Sequence, residues 1–176
     1  MQDQTGLNKD YQLDNFHDTI GNRWAKVAAR VVAENSLEGS QTVYNPLYIY
    51  GDSGVGKTHL LHAIGNKALE TNPKVKVKYV TIETFANDFL EQSRLGLAMT
   101  FKEAYAHVDM LLLDNVHLLG EKDELVKQVI FQLFNQLREN NKQIVLASQC
   151  SPNKLRRLNE RLVSRFSWGL ITEITA

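Results

Sequence analysis

The sequence holds one cysteine, Cys150, and three prolines in 176 residues. A single thiol cannot form an intramolecular disulfide, so the fold must stand without cross-links, and such a chain suits a reducing compartment. Cys150 itself reads as a small buried hydrophobe. Long hydrophobic runs are also missing: no apolar stretch is long enough to cross a bilayer. The polar start, MQDQTGLNKDY, lacks the apolar centre of a secretion signal. The expected location is the cytoplasm. No charge sign dominates, because Lys and Arg total 20 and Asp and Glu total 20. That balance excludes a domain gripping duplex DNA by bulk positive charge, and leaves room for a local basic patch.

What remains is an ordinary globular composition, 43% hydrophobic and 23% charged, of a length that fits one domain with a core. After a polar lead-in over residues 1 to 10, the apolar period keeps changing. Residues 18–35 read as a helix, with Trp24, Val27, Ala28, Val31 and Val32 at helical spacing. A breaker stretch over 35–40 and a turn at Asn45-Pro46 follow. Strands are expected at 47–50, 75–82, 110–116, 143–148 and 169–174, and helices at 58–70, 84–94, 100–108, 124–141 and 159–166. Lys74, Lys76 and Lys78 fall on one face of the second strand and read as a solvated edge. Trp24 and Trp168 read as packing residues. This alternation predicts an α/β fold, a parallel sheet flanked by helices, with ligands at the carboxyl ends of the strands.

The segment GDSGVGKT, Gly51 to Thr58, lies where such a ligand belongs, between the first strand and its helix. It fits G-x-x-x-x-G-K-[ST] without mismatch. Its glycines let successive backbone N–H groups turn into one concavity, and the helix start adds its own free N–H groups. Gly51, Ser53, Gly54, Val55, Gly56, Lys57, Thr58 and His59 are the expected phosphate-site residues, for ATP or ADP with Mg²⁺. Lys57 would reach the outer phosphates, and the Thr58 hydroxyl would ligate the metal. Asp114 ends the apolar run MLLLD and is the expected second metal carboxylate. Asn115 follows it, where many such ATPases carry an acid. An amide orients water but accepts no proton, so the expectation is tight ATP binding with slow hydrolysis. His107 and His117 have no carboxylate or cysteine cluster around them and are read as non-ligands.

Six stretches carry a resemblance: LNKDYQLDNF, YNPLYIYGDSGVGKTHLLHAIGN, YVTIETFANDF, FKEAYAHVDMLLLDNVHLL, FNQLRENNKQIVLAS and LNERLVSRFSWGLITEI. In this order they resemble the ATPase domain of the bacterial DnaA replication-initiator family, within the AAA+ class. The resemblance implies a five-stranded P-loop AAA+ core spanning residues 1–176, with an N-terminal arm over 1–22 and a two-helix initiator-type insertion over 84–108. It implies that Asn15, Thr19, Ile20 and Gly21 lie against adenine and ribose. It makes Arg165 an arginine finger that reaches the γ-phosphate on a neighbouring copy, giving an ATP-dependent head-to-tail homo-oligomer. Arg161, one turn earlier, either pairs locally or lines the same interface. Leu90 and Lys102 become contacts to single-stranded DNA.

The chain departs from the family at Asn115 and at Gln149, the sensor position, where the family has an acid. Both departures put efficient hydrolysis in doubt. The family also continues into a helical lid and a duplex-binding helix-turn-helix, and its partner-binding N-terminal domain is absent here. The expectation is an excised core or a short relative, with a weaker grip on nucleotide. The catalytic candidates are Lys57, Asp114, Asn115 and Arg165. The leading expectation is a replication initiator core that binds and stretches single-stranded DNA. The alternative is a related regulator that binds nucleotide and captures an initiator or a helicase without melting DNA. A phosphate-transferring P-loop kinase is a third, disfavoured for want of an acceptor site and of any purpose for Arg165.

Overall fold

The computed structural model describes residues 4–36 and 41–176. The expected start of the lead-in and most of the breaker stretch lie outside them. Five parallel strands form one sheet in the order β2-β3-β4-β1-β5. They are β1 (Leu47–Tyr50), β2 (Val77–Thr81), β3 (Met110–Asp114), β4 (Gln143–Ser148) and β5 (Leu170–Glu173). The helices are α1 (Arg23–Glu34), α2 (Lys57–Thr71), α3 (Ile82–Arg94), α4 (Ala98–Ala106), α5 (Glu124–Glu139) and α6 (Glu160–Phe166). Short 3₁₀ helices at Val116–Glu121 and Pro152–Lys154, which the periodicity does not predict, follow β3 and β4.

Side-chain alternation along the central strands feeds two cores, one on each face. Leu47 and Ile49 of β1, with Met110 and Leu112 of β3, pack against α1 and α2. Tyr48, Leu111 and Leu113 point the other way, against α3, α5 and α6. Both faces are covered, so these strands read as unbroken apolar runs. The α5 stripe of Val126, Ile130, Leu133, Phe134 and Leu137 is buried as expected.

Two expectations need correction. In α1 the buried face is Ala25, Ala28, Ala29, Val32 and Ala33. Trp24 is 76% exposed, and Val27 and Val31 also face outward. Small residues let α1 lie close on α2, and the large apolar ones are turned away. Trp168 is half exposed and does not fill the core; its ring lies 4.6 Å from the Arg138 guanidinium and 5.1 Å from that of Arg165. The lysine run keeps its expected face on the way into the edge strand β2: Lys74 and Lys76 are exposed and Lys78 half-buried, alternating with buried Val75 and Val77. The strand starts at Val77, the Lys76 backbone N–H donates to Asp109, and Lys78 Nζ donates to the Gln4 carbonyl.

Candidate nucleotide site

The end of β1 meets the start of α2 through the loop 51–56, at the carboxyl edge of the sheet. The Gly51 N–H donates to the Ser148 carbonyl of β4, which fixes the loop's first residue to the sheet. Gly54 and Gly56 have φ of +83° and +106°, conformations that a side chain disfavours. At Gly56 an added Cβ would lie 2.9 Å from the Phe16 ring, so the N-terminal arm closes over the loop there. A cleft of about 320 Å³ opens above, lined by Tyr11, Ser53, Gly54, Gly56, Lys57, Thr58, His59, Asp114, Asn115 and Gln149.

Lys57 is buried, and its ammonium donates to the Gly51 and Asp52 carbonyls, both at 2.6 Å. Burial lowers its pKa; the nearby Asp114 and Asp52 charges oppose this without cancelling it. Asp114 is 2% exposed and satisfied from three directions. Its Oδ2 accepts from Thr58 Oγ1 at 2.7 Å and from the Tyr79 hydroxyl at 2.8 Å, while Oδ1 accepts from the Asn115 N–H at 2.9 Å. Burial and the Asp114 charge push the Tyr79 phenol far up, so it stays a donor. Thr58 and Asp114, expected to share a metal, are thus side by side although 56 residues apart in sequence.

Asn115 sits in left-handed backbone, φ 60°, at the end of β3. Its amide donates to Glu83 Oε2 at 3.3 Å. The other oxygen of Glu83 is buried with no hydrogen-bond partner among the described residues. Gln149 reaches the cleft from the end of β4, and its backbone N–H donates to His117 Nδ1 at 3.2 Å. Burial, then the Lys57 charge, lower the His117 pKa, which keeps the ring neutral and able to accept. Tyr11 stacks on His59 with centroids 4.8 Å apart.

The cleft therefore gathers an ammonium, a hydroxyl, a carboxylate and a glycine loop. The sequence matches the bacterial DnaA ATPase domain family over residues 7–173. The chain belongs to the DnaA family. It is 46% identical over 172 residues to the chromosomal replication initiator protein DnaA of Lactococcus lactis subsp. cremoris, which covers 98% of this chain and 37% of that protein. It is similar to a solved replication initiator DnaA bound to AMPPCP and single-stranded DNA, at 41% identity and a TM-score of 0.89, over 97% of this chain and 51% of the other. Domain III of Thermotoga maritima DnaA matches at 41% identity and a TM-score of 0.89, over 97% and 69%.

The remaining candidates lie outside the residues that line the cleft. Val55 packs against the core beside Gly51. Asn15 braces the arm: its side chain accepts from the Gln12 N–H and donates to the Asp10 carbonyl. Thr19 and Ile20 line a separate groove along α1, with Ile20 92% exposed. The carbonyl of Gly21 accepts from the Thr175 N–H just past β5. Arg165 lies on α6, where its Nε donates to Asn135 Oδ1 at 2.5 Å and its guanidinium covers the Phe131 ring at 4.4 Å. Arg161 is exposed beside it and gives Arg165 its carbonyl. The stretch expected to be the insertion folds as the pair α3 and α4, built on Phe85, Phe89, Phe101 and Tyr105. Leu90 is half-buried against that cluster, and Lys102 lies half-buried over the α4–α5 groove.

Sequence reading missed Tyr11, Glu83, Tyr79 and His117. Glu83 carried one signal, an acid in the first turn of a helix that directly follows a strand. The described residues hold no cluster of three or more His, Cys, Asp or Glu that could hold a metal ion. Among them no helix is long and apolar enough to cross a membrane.

Proposed function

We propose that this chain is the ATP-binding core of a chromosomal replication initiator, which assembles head to tail when ATP is bound and holds single-stranded DNA. The observation that carries the reading is the bond between Thr58 and Asp114 beside a glycine loop and a buried lysine. The loop N–H groups and Lys57 suit a triphosphate. Thr58 Oγ1 and Asp114 suit Mg²⁺, since a hydroxyl that donates to a carboxylate keeps a lone pair for a hard cation. The ion, when bound, supplies positive charge against the phosphates. The solved DnaA with AMPPCP and single-stranded DNA supports both ligands for this family member.

Hydrolysis is slow on this reading, because Asn115 accepts no proton. Glu83, bonded to the Asn115 amide, is the carboxylate this reading assigns as base, and that bond also restrains it. Arg165 serves a neighbouring copy: it lines no part of its own cleft, and its planar fork suits a γ-phosphate. The chain spans 37% of the length of its Lactococcus relative, so the activity of a whole initiator is itself part of this proposal.

The test is binding of labelled single-stranded DNA with ATP, with ADP and without nucleotide. Binding that needs ATP and vanishes in Arg165→Ala supports the initiator reading. Asn115 and Gln149 favour a second reading, a regulator that binds nucleotide and captures a helicase or another initiator. ATP binding with partner capture and no DNA affinity would establish that one.

A further inference from the structure

Asp114 does not hold its place alone. Two donors reach its Oδ2, and only Thr58 belongs to the phosphate loop. The second, Tyr79, comes from β2, the neighbouring strand, where Tyr79 pairs with Leu112 and Thr81 with Asp114. The phenol therefore reaches along the strand toward the carboxyl edge to meet the carboxylate.

Tyr79 is in turn held by the N-terminal arm. Its backbone N–H donates to the Thr5 carbonyl at 2.7 Å. A Cβ on Gly6 would lie 2.5 Å from the Tyr79 carbonyl oxygen, so the arm is pressed against this residue. The Tyr79 ring lies 3.9 Å from that of buried His62, and His62 Nδ1 accepts from the Asn8 N–H at 3.0 Å. Leu7 packs over α2 at Gly65 between these points. Residues 5–8 thus touch Tyr79 by its backbone and its ring support, while the arm enters the cleft itself only at Tyr11.

We propose that Tyr79 is a positioning residue for the metal carboxylate Asp114, and that the N-terminal arm sets Tyr79 and so tunes the affinity for the magnesium–nucleotide complex. The proposal rests on the nucleotide reading above. Its physical basis is that a carboxylate whose Oδ2 is held by both of its donors meets a cation without reorganising, whereas one left with Thr58 on Oδ2 and the Asn115 N–H on Oδ1 has more freedom to tilt. Because coupling is reciprocal, a bound Mg²⁺–nucleotide also tightens the arm's seat on β2.

The experiment measures binding of a fluorescent ATP analogue across a Mg²⁺ series and again in EDTA. Tyr79→Phe keeps the ring on His62 and removes only the hydroxyl. Expected is a rise of about tenfold in the Mg²⁺ needed for half-maximal binding, with EDTA affinity and melting temperature close to the parent's. Gly6→Val, at a residue outside the cleft lining that is pressed against the Tyr79 carbonyl, should shift the Mg²⁺ requirement in the same direction. An unchanged Mg²⁺ requirement in Tyr79→Phe overturns the positioning role. So does an equal loss with and without Mg²⁺, which would mark a general structural effect. A shift in Tyr79→Phe but none in Gly6→Val overturns the role of the arm. A parent chain that binds no nucleotide under any condition overturns the nucleotide reading as well.

Discussion

The glycine loop gives a prediction whose size follows from the coordinates. Gly56 has φ +106° and ψ 15°, and a Cβ there would lie 2.9 Å from the buried Phe16 ring. Gly54 has φ +83° with open space around its Cβ position. An L residue in left-handed backbone costs about 1–2 kcal/mol. Gly54→Ala should therefore cost about that much and no more. Gly56→Ala should add the cost of displacing Phe16 from the core, about 1–3 kcal/mol. At this chain length each kcal/mol lowers the melting temperature by roughly 2–4 °C. Thermal denaturation of the two variants in parallel should thus separate them by about 2–12 °C. ATP affinity should fall in both, because each change turns loop N–H groups out of the concavity. Equal melting temperatures for the two variants would refute the closure of the arm over Gly56. Parent-like ATP binding in both would refute the loop as the phosphate cradle.

Arg165→Ala should leave ATP affinity of the separate chain unchanged and abolish ATP-dependent assembly in sedimentation velocity, since Arg165 lies outside its own cleft. Glu83→Gln should slow single-turnover hydrolysis by about 10²-fold while retaining ATP binding, as expected for loss of a proton acceptor. Asp109 supplies a pH test. Burial raises its pKa, but hydrogen bonds from Lys142 and from the Lys76 N–H, with both lysine charges, outweigh this and leave it below 3.8. A carboxyl lowered on folding adds stability that is present above the unfolded value and is lost as pH falls through the folded one. Asp109→Asn should therefore cost about 1 kcal/mol in urea denaturation at pH 7, after discounting for solvent screening. The gap between parent and variant should close below pH 3.8, and a constant gap would refute the assignment.

The sheet was legible because each central strand is covered on both faces. Leu111 and Leu112 point to opposite cores, so neither face leaves a polar gap in the pattern. The same logic misled at α1. There the eye follows Trp24, Val27 and Val31, while close approach to α2 is set by Ala25, Ala28, Ala29 and Ala33, whose burial needs small volume rather than large apolar area. The phosphate loop was legible since its chemistry is local, eight consecutive residues that make one turn. Asp114 could be picked out only by pairing it with that loop. Tyr79 and Glu83 could not, because each acts across a strand register or a strand–helix junction that no spacing in the sequence encodes. Tyr11 reaches the cleft because the arm folds back along α2, with the Asn66 side chain donating to the Asn8 and Tyr11 carbonyls.

The junction between β2 and α3 joins the two halves of the proposed function. Thr81 pairs across from Asp114 in the sheet, and its hydroxyl caps α3 by accepting from the Thr84 N–H at 3.2 Å. Two residues on, Glu83 accepts from Asn115. The first turn of α3 is therefore fastened to the cleft at two points, whereas its far end leads to a tip where Leu95 is 65% and Met99 70% exposed. A helix of 13 residues is about 20 Å long, so a rotation of about 5° at the first turn moves the tip by about 2 Å. On the proposed function, a rearrangement of Asn115 against Glu83 would reach α4 as a tilt of α3. Because the Asn115 amide accepts no proton, on that reading the contact would report which nucleotide is bound rather than speed its hydrolysis.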